Sequence, residues 1–150
     1  MSSSRRRVLL CGTDSVPQDL LAILTFQRVE GYQILFEASE ESPGSRGLEH
    51  FAGQVVRFPE SDLKVPHMGW NQVAQKHSHP LWQDIEDGSR FYFVHSYYVD
   101  PADSTLVAGT TDYGIEFVSV IARDNVFAAQ FHPEKSSRVG GQILKNFIEL

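Results

Sequence analysis

Apolar positions follow two regimes along this chain, and the change falls near Gly31. Before it the pattern is sparse. Val8-Leu9-Leu10 reads as a short strand and Gly12-Thr13-Asp14 as a turn. A helix opens near Pro17, a residue suited to a first helical position, with Leu20, Ile23, Leu24 and Phe26 on a loose apolar face. Beyond Gly31 the apolar residues are denser. Residues 32–38 carry an amphipathic helical pattern that stops before the loop Ser39-Glu40-Glu41-Ser42-Pro43-Gly44. The pattern predicts a strand over 54–58, an irregular loop over 66–72, and one long aromatic and β-branched strand over 90–99. A further strand is expected over 106–109. Residues 117–122 and 126–131 read as a hairpin around Asp124-Asn125, a pair that tolerates left-handed backbone.

The chain closes with a helix that Ser136 or Ser137 can cap, its apolar stripe formed by Val139, Ile143, Leu144, Phe147 and Ile148. Gly140-Gly141 weakens the first turn by about 1 kcal/mol per glycine relative to alanine. The pair reads either as a place where another backbone approaches closely or as one without a purpose. Strands mixed with flanking helices indicate an α/β domain.

Composition narrows the function classes. The 150 residues are 41% hydrophobic, enough for a core in a single domain. The net charge of -6 argues against nucleic acid as the main partner, because phosphate binding needs clustered cations. The one basic run, Arg5-Arg6-Arg7, reads as a solvated terminus. No stretch approaches the ~18 apolar residues of a membrane span, and no signal peptide is evident. One cysteine, Cys11, excludes an internal disulfide framework and points to a reducing compartment, so a soluble, cytoplasmic protein is expected. His67, His77, His79 and His95 share no ligand spacing with a cysteine or carboxylate cluster, and no metal is assigned.

The segment richest in chemistry is Gln130-Phe131-His132-Pro133-Glu134-Lys135-Ser136. The proline pushes His132 toward extended backbone, and in extended chain residues i and i+2 project to one side. His132 and Glu134 then face together, a spacing at which a carboxylate biases the imidazole tautomer and supports its positive charge. That is the base-plus-orienter half of a catalytic triad, placed at a strand end. Alone, the tripeptide reads more simply as a surface turn. The neighbouring segments reverse that reading.

The segment around His132 resembles the histidine–glutamate segment of class I glutamine amidotransferases. Three further segments resemble signatures of the glutaminase subunits of imidazole glycerol phosphate synthases: Tyr32-Gln33-Ile34-Leu35-Phe36-Glu37-Ala38-Ser39-Glu40-Glu41-Ser42, Pro66-His67-Met68-Gly69-Trp70-Asn71, and Phe91-Tyr92-Phe93-Val94-His95-Ser96-Tyr97-Tyr98. They run in the family's order from about Gly31 to Leu150. The resemblance implies a flavodoxin-like α/β fold and no cofactor. It also implies hydrolysis of glutamine to glutamate and ammonia, the ammonia passing to a (β/α)₈-barrel cyclase partner in histidine biosynthesis. An amidotransferase of nucleotide synthesis fits the second and third segments less well.

Carried over by residue, the resemblance makes His132 the general base and Glu134 its orienter. Gln33 and Glu41 would hold glutamine, helped by backbone at Ser96 and Tyr97. Tyr92 and Lys135 would lie near the ammonia exit, and Met68 and Trp70 at the cyclase interface. Without the family, Tyr92 reads equally as core and Lys135 as an ordinary solvated charge. Trp70 in a polar stretch reads as a partner contact.

The likeness fails before Gly31. In the family a Gly-x-Cys-x-Gly turn exposes a thiol at a helix N-terminus, where dipole and base favour the thiolate. Aligned through Gly31-Tyr32-Gln33, that place holds Val29, which cannot attack an amide. Cys11 lacks the flanking glycines of such a turn, with Leu9 and Thr13 in their places, and reads better as a small buried apolar residue. The expectation is therefore an atypical segment over 1–30, then the C-terminal part of an amidotransferase domain over 31–150, N-terminally incomplete. A non-catalytic remnant that keeps the cyclase-binding surface is the alternative.

Overall fold

The computed structural model describes residues 35–44 and 46–150. The elements expected over 8–31, together with Cys11, Val29, Gln33 and the opening of the 32–38 helix, lie outside the described residues. The end of that helix is not helical. Ala38–Ser39 instead forms a short strand, β1, paired in parallel with Gln54 and Val55, which takes up the backbone groups a helix would have used.

The α/β fold expected from the sequence is present, with a mixed sheet. Its strands are β1, β2 (Gly53–Arg57), β6 (Tyr97–Pro101), β8 (Glu116–Arg123), β7 (Val107–Asp112) and β4 (Ala74–Gln75), in that order, with β9 (Val126–Ala129) beside the end of β8. A separate ribbon joins β3 (His67–Gln72) to β5 (Arg90–His95), antiparallel, with His67 opposite His95 and Trp70 opposite Tyr92. Two expectations are corrected by this ribbon. The 66–72 loop is mostly strand, and the single strand over 90–99 is two, broken at Ser96 where the chain leaves the ribbon for the main sheet.

Both faces of the main sheet are buried, and β8 shows how one strand serves both. Phe117 faces one apolar cluster and Val118 the other, yet Val120 rejoins the cluster of Phe117 and Ile121 that of Val118. Alternation would give the opposite assignment. The change of parity falls at Ser119, an extra residue between Val118, opposite Thr110, and Val120, opposite Gly109. This bulge turns the strand over once, and the Ser119 hydroxyl is satisfied by that of Thr111 at 2.8 Å. The hairpin to β9 turns at Asp124, which adopts the expected left-handed conformation (φ 52°).

The terminal helix α1 (Ser137–Glu149) lies against β5 and a 3₁₀ turn at Pro80–Trp82. Ile143 and Phe147 enter the core and Val139 and Leu144 flank it, but Ile148 is 67% exposed, past the edge of the stripe. Buried Asn146 fixes the helix by donating to the carbonyls of Leu81 (3.0 Å) and Gln83 (2.7 Å). Among the described residues no helix is long and apolar enough to cross a membrane.

Candidate active site

After β9 the chain enters an extended residue, His132 (φ -100°, ψ 100°), and then a 3₁₀ turn, Pro133–Lys135. The proline imposes the first conformation and suits the start of the second. His132 Nδ1 and Glu134 Oε1 lie 3.0 Å apart. With an ionised carboxylate, the Nδ1–H donates to Glu134 and the Nε2 lone pair is left as the base.

Ser136 holds this turn to the ribbon, not to the helix it precedes. Its hydroxyl makes no capping bond to α1. It donates to the His132 carbonyl (2.6 Å) and accepts the Tyr92 N–H (2.9 Å). The His132 N–H returns a bond to the Tyr92 carbonyl at 2.9 Å. Tyr92 thus has its backbone bonded to the dyad turn on the edge of β5 away from β3. Gly140 closes the arrangement from the helix, since a Cβ there would stand 1.9 Å from the Pro133 carbonyl oxygen.

Around the dyad, Lys135 Nζ stands 6.0 Å from the centre of the Tyr92 ring, and Trp70 meets the same ring edge-on at 6.2 Å. Met68 and Trp70 point away from the core on alternate positions of β3 and are 61% and 48% exposed. Tyr92, Lys135, Trp70 and the dyad therefore form one neighbourhood. Ser96 and Tyr97 sit at the step from β5 to β6, where the Ser96 carbonyl accepts the Phe58 N–H at 3.1 Å. Glu41 lies in the turn after β1, its N–H bonded to Ser39 Oγ at 3.2 Å. Its neighbour Glu40 accepts the Arg57 N–H at 2.7 Å, and Arg57 pairs with Tyr97. That chain of contacts brings Glu41 to the sheet end that holds Ser96 and Tyr97.

One feature escaped sequence reasoning. His67 and His95 are buried partners across the ribbon, with His67 Nδ1 2.9 Å from His95 Nε2. The rings of Phe58, Phe93 and Phe117 surround the pair, and Tyr113 stacks on His67 at 4.0 Å. Burial pushes His67 down to about 4 and His95 to about 3; the Tyr97 carbonyl opposes the fall at His95, and His67 and His132 add to it. Both rings are neutral at pH 7. The signal available in the sequence was only their inward position on strands of period two, and no such strand was expected over 66–72. Among the described residues no cluster of histidine, cysteine and carboxylates could hold a metal.

This pair makes the fold acid-sensitive. An unfolded chain protonates its histidines near 6.5, whereas these two stay neutral when folded down to about 4 and about 3. The unfolded state therefore binds more protons below 6.5, and stability falls as the pH drops, by up to about 1.4 kcal/mol per unit for each histidine, until the folded values are passed. Thermal melts between pH 7 and 4 should show a falling midpoint, and His67→Phe should make the fall shallower. Equal slopes in the two proteins would contradict the assignment.

The family description "Glutamine amidotransferase class-I" matches residues 31–150. The chain is 57% identical over 121 residues to the imidazole glycerol phosphate synthase subunit HisH of Acinetobacter baylyi, covering 79% of this chain and 59% of that protein. It is 53% identical over 120 residues to the protein of the same name from Methanocaldococcus jannaschii, covering 80% and 60%. The chain thus spans about three-fifths of the length of these curated relatives. A solved glutamine amidotransferase from Thermotoga maritima shares the fold with a TM-score of 0.50 at 11% identity, over 92% of this chain and 66% of that one.

Proposed function

The chain belongs to the class-I glutamine amidotransferase family, and from that premise we propose that it serves as the glutaminase subunit of an imidazole glycerol phosphate synthase. The observation that carries the reading is the 3.0 Å contact of His132 Nδ1 with Glu134, at a strand end locked to Tyr92. The identity to the HisH relatives supports the narrower assignment.

In this reading a cysteine thiol must be supplied from outside the place that Val29 holds, and His132 Nε2 accepts its proton as the sulfur attacks the carboxamide carbon of glutamine. His132 returns the proton to the leaving nitrogen, and ammonia departs from a thioester. Water, deprotonated by the same nitrogen, hydrolyses the thioester to glutamate and regenerates the thiol. Glu134 steadies the imidazolium at each step. Glu41, Gln33 and the backbone of Ser96 and Tyr97 hold the substrate. Ammonia leaves past Tyr92 and Lys135 toward a (β/α)₈-barrel cyclase subunit, which docks on Met68 and Trp70, in histidine biosynthesis.

Val29 favours a second reading, since counting back from Gly31 along the Gly-x-Cys-x-Gly pattern puts it in the place of the thiol. The chain would then bind the cyclase through the same surface without turnover. Glutamate release with the cyclase and its ligand present separates the two. Release above background, lost in His132→Ala, supports the enzyme; co-purification without release supports the binding role. A chain that neither releases glutamate nor co-purifies with the cyclase sinks both.

A further inference from the structure

The buried histidine pair belongs to a longer chain of hydrogen bonds whose direction is fixed at both ends. At one end Asn71 Nδ2 lies 3.2 Å from His67 Nε2 and 2.7 Å from the Asp112 carbonyl, while Asn71 Oδ1 accepts the Gln72 N–H at 2.8 Å. The amide oxygen is thereby committed, and Asn71 presents a donor to His67. At the other end His95 Nδ1 lies 2.7 Å from the Tyr97 carbonyl, which only accepts. His95 must carry its proton on Nδ1, leaving Nε2 bare. His67 must then donate from Nδ1 to His95 Nε2 and accept from Asn71 on Nε2. Any other pair of neutral tautomers leaves a buried donor or acceptor facing its like.

We propose that Asn71, His67 and His95 are positioning residues for glutamine, holding the backbone at the Ser96–Tyr97 step through the Tyr97 carbonyl. The inference rests on the glutaminase reading, in which that step lines the substrate site. Ser96 is the residue at which the chain leaves the ribbon for the main sheet, so its flanks are tied to different sheets. The Tyr97 carbonyl faces back across this break to the ring of His95, on the other side of it. The bond is a staple over the step, and the ring that makes it is held upright by His67. Packing alone would not set the orientation, because Phe58, Phe93 and Phe117 present apolar faces to the two rings.

The test compares two replacements of His67. Phenylalanine keeps a ring between Phe93 and Tyr113 but cannot donate to His95. Glutamine offers an amide N–H to His95 and an amide oxygen to Asn71. Glutamine affinity of the full chain, measured by calorimetry, should fall about tenfold in His67→Phe and stay within about threefold of the unmodified chain in His67→Gln, whatever the order of their melting temperatures. Equal affinities in the two variants would overturn the positioning role. Should His67→Phe fail to fold, Asn71→Ala removes the donor at the partly exposed end and should weaken glutamine binding about threefold, an unchanged affinity overturning the role. The relay itself is read from the ring ¹⁵N shifts of His95 in the unmodified chain, which should show Nδ1 protonated and Nε2 bare; the reverse would overturn it. If the unmodified chain binds no glutamine while His95 shows the expected tautomer, the substrate reading fails and the positioning role falls with it, the relay standing as structure alone.

Discussion

Gly140→Ala is expected to lower stability by about 3 kcal/mol, while Gly141→Ala next to it raises stability by about 0.5–1 kcal/mol. The two glycines look alike in the sequence and carry the same intrinsic helix penalty. Their surroundings differ. A Cβ at Gly140 would meet the Pro133 carbonyl oxygen at 1.9 Å and its carbon at 2.8 Å, both main chain, whereas nothing outside the helix lies within 4 Å of one at Gly141. Neither atom of Pro133 can swing aside as a side-chain tip would. The helix must lift or the turn must move, and the turn carries His132, Glu134 and the Ser136 clamp. Thermal melts should separate the two variants by roughly 10 °C, with Gly140→Ala the lower. A melting temperature for Gly140→Ala within a degree or two of the unmodified chain would contradict the packing described.

Glu134→Ala is expected to cost thiol-dependent glutamine hydrolysis about 10⁴-fold, the scale on which a triad suffers when its orienting carboxylate loses charge. The side chain contributes two things through one contact of 3.0 Å. In the proposed mechanism it fixes the proton on Nδ1, so that Nε2 is the base, and stabilises the positive charge that His132 acquires at each proton transfer. The comparison belongs in a chain supplied with a thiol at the family's position. Gln27→Gly with Val29→Cys completes the Gly-x-Cys-x-Gly pattern that ends at Gly31, and glutamate release is followed with the cyclase present. Equal release with and without Glu134→Ala would remove Glu134 from the chemistry.

The parts of this fold that were legible are those whose cause is local. Pro133 dictates the backbone of His132, and the pairing with Glu134 expected from extended chain is made instead by the 3₁₀ turn that Pro133 opens. Asp124-Asn125 marks a hairpin by its own conformational preference, and the spacing of Ile143 and Phe147 marks a helix face. The strand over His67–Gln72 was hidden because its inward residues are His67, Gly69 and Asn71, which look like loop. Its pairing with β5 lies some twenty residues away, and only that register sets His67 against His95. The break at Ser96 was masked by an aromatic run that continues through both strands. The Gly140 contact was legible only as a question, since the backbone it meets belongs to a turn whose direction depends on Ser136 and Tyr92. The glutamine contact expected of Gln33 and the thiol's expected place at Val29 fall outside the described residues.

The proposed glutaminase mechanism depends on an imidazole whose outer nitrogen can take a proton. The ring ¹⁵N spectrum of His132, recorded on the unmodified chain at a pH where the ring is neutral, reads that state without requiring turnover. It should show a protonated Nδ1 and a bare Nε2, with the balance shifting toward protonated Nε2 in Glu134→Ala. A spectrum in which Nε2 carries the proton in the unmodified chain, or in which Glu134→Ala changes nothing, would contradict the assignment of His132 as the base.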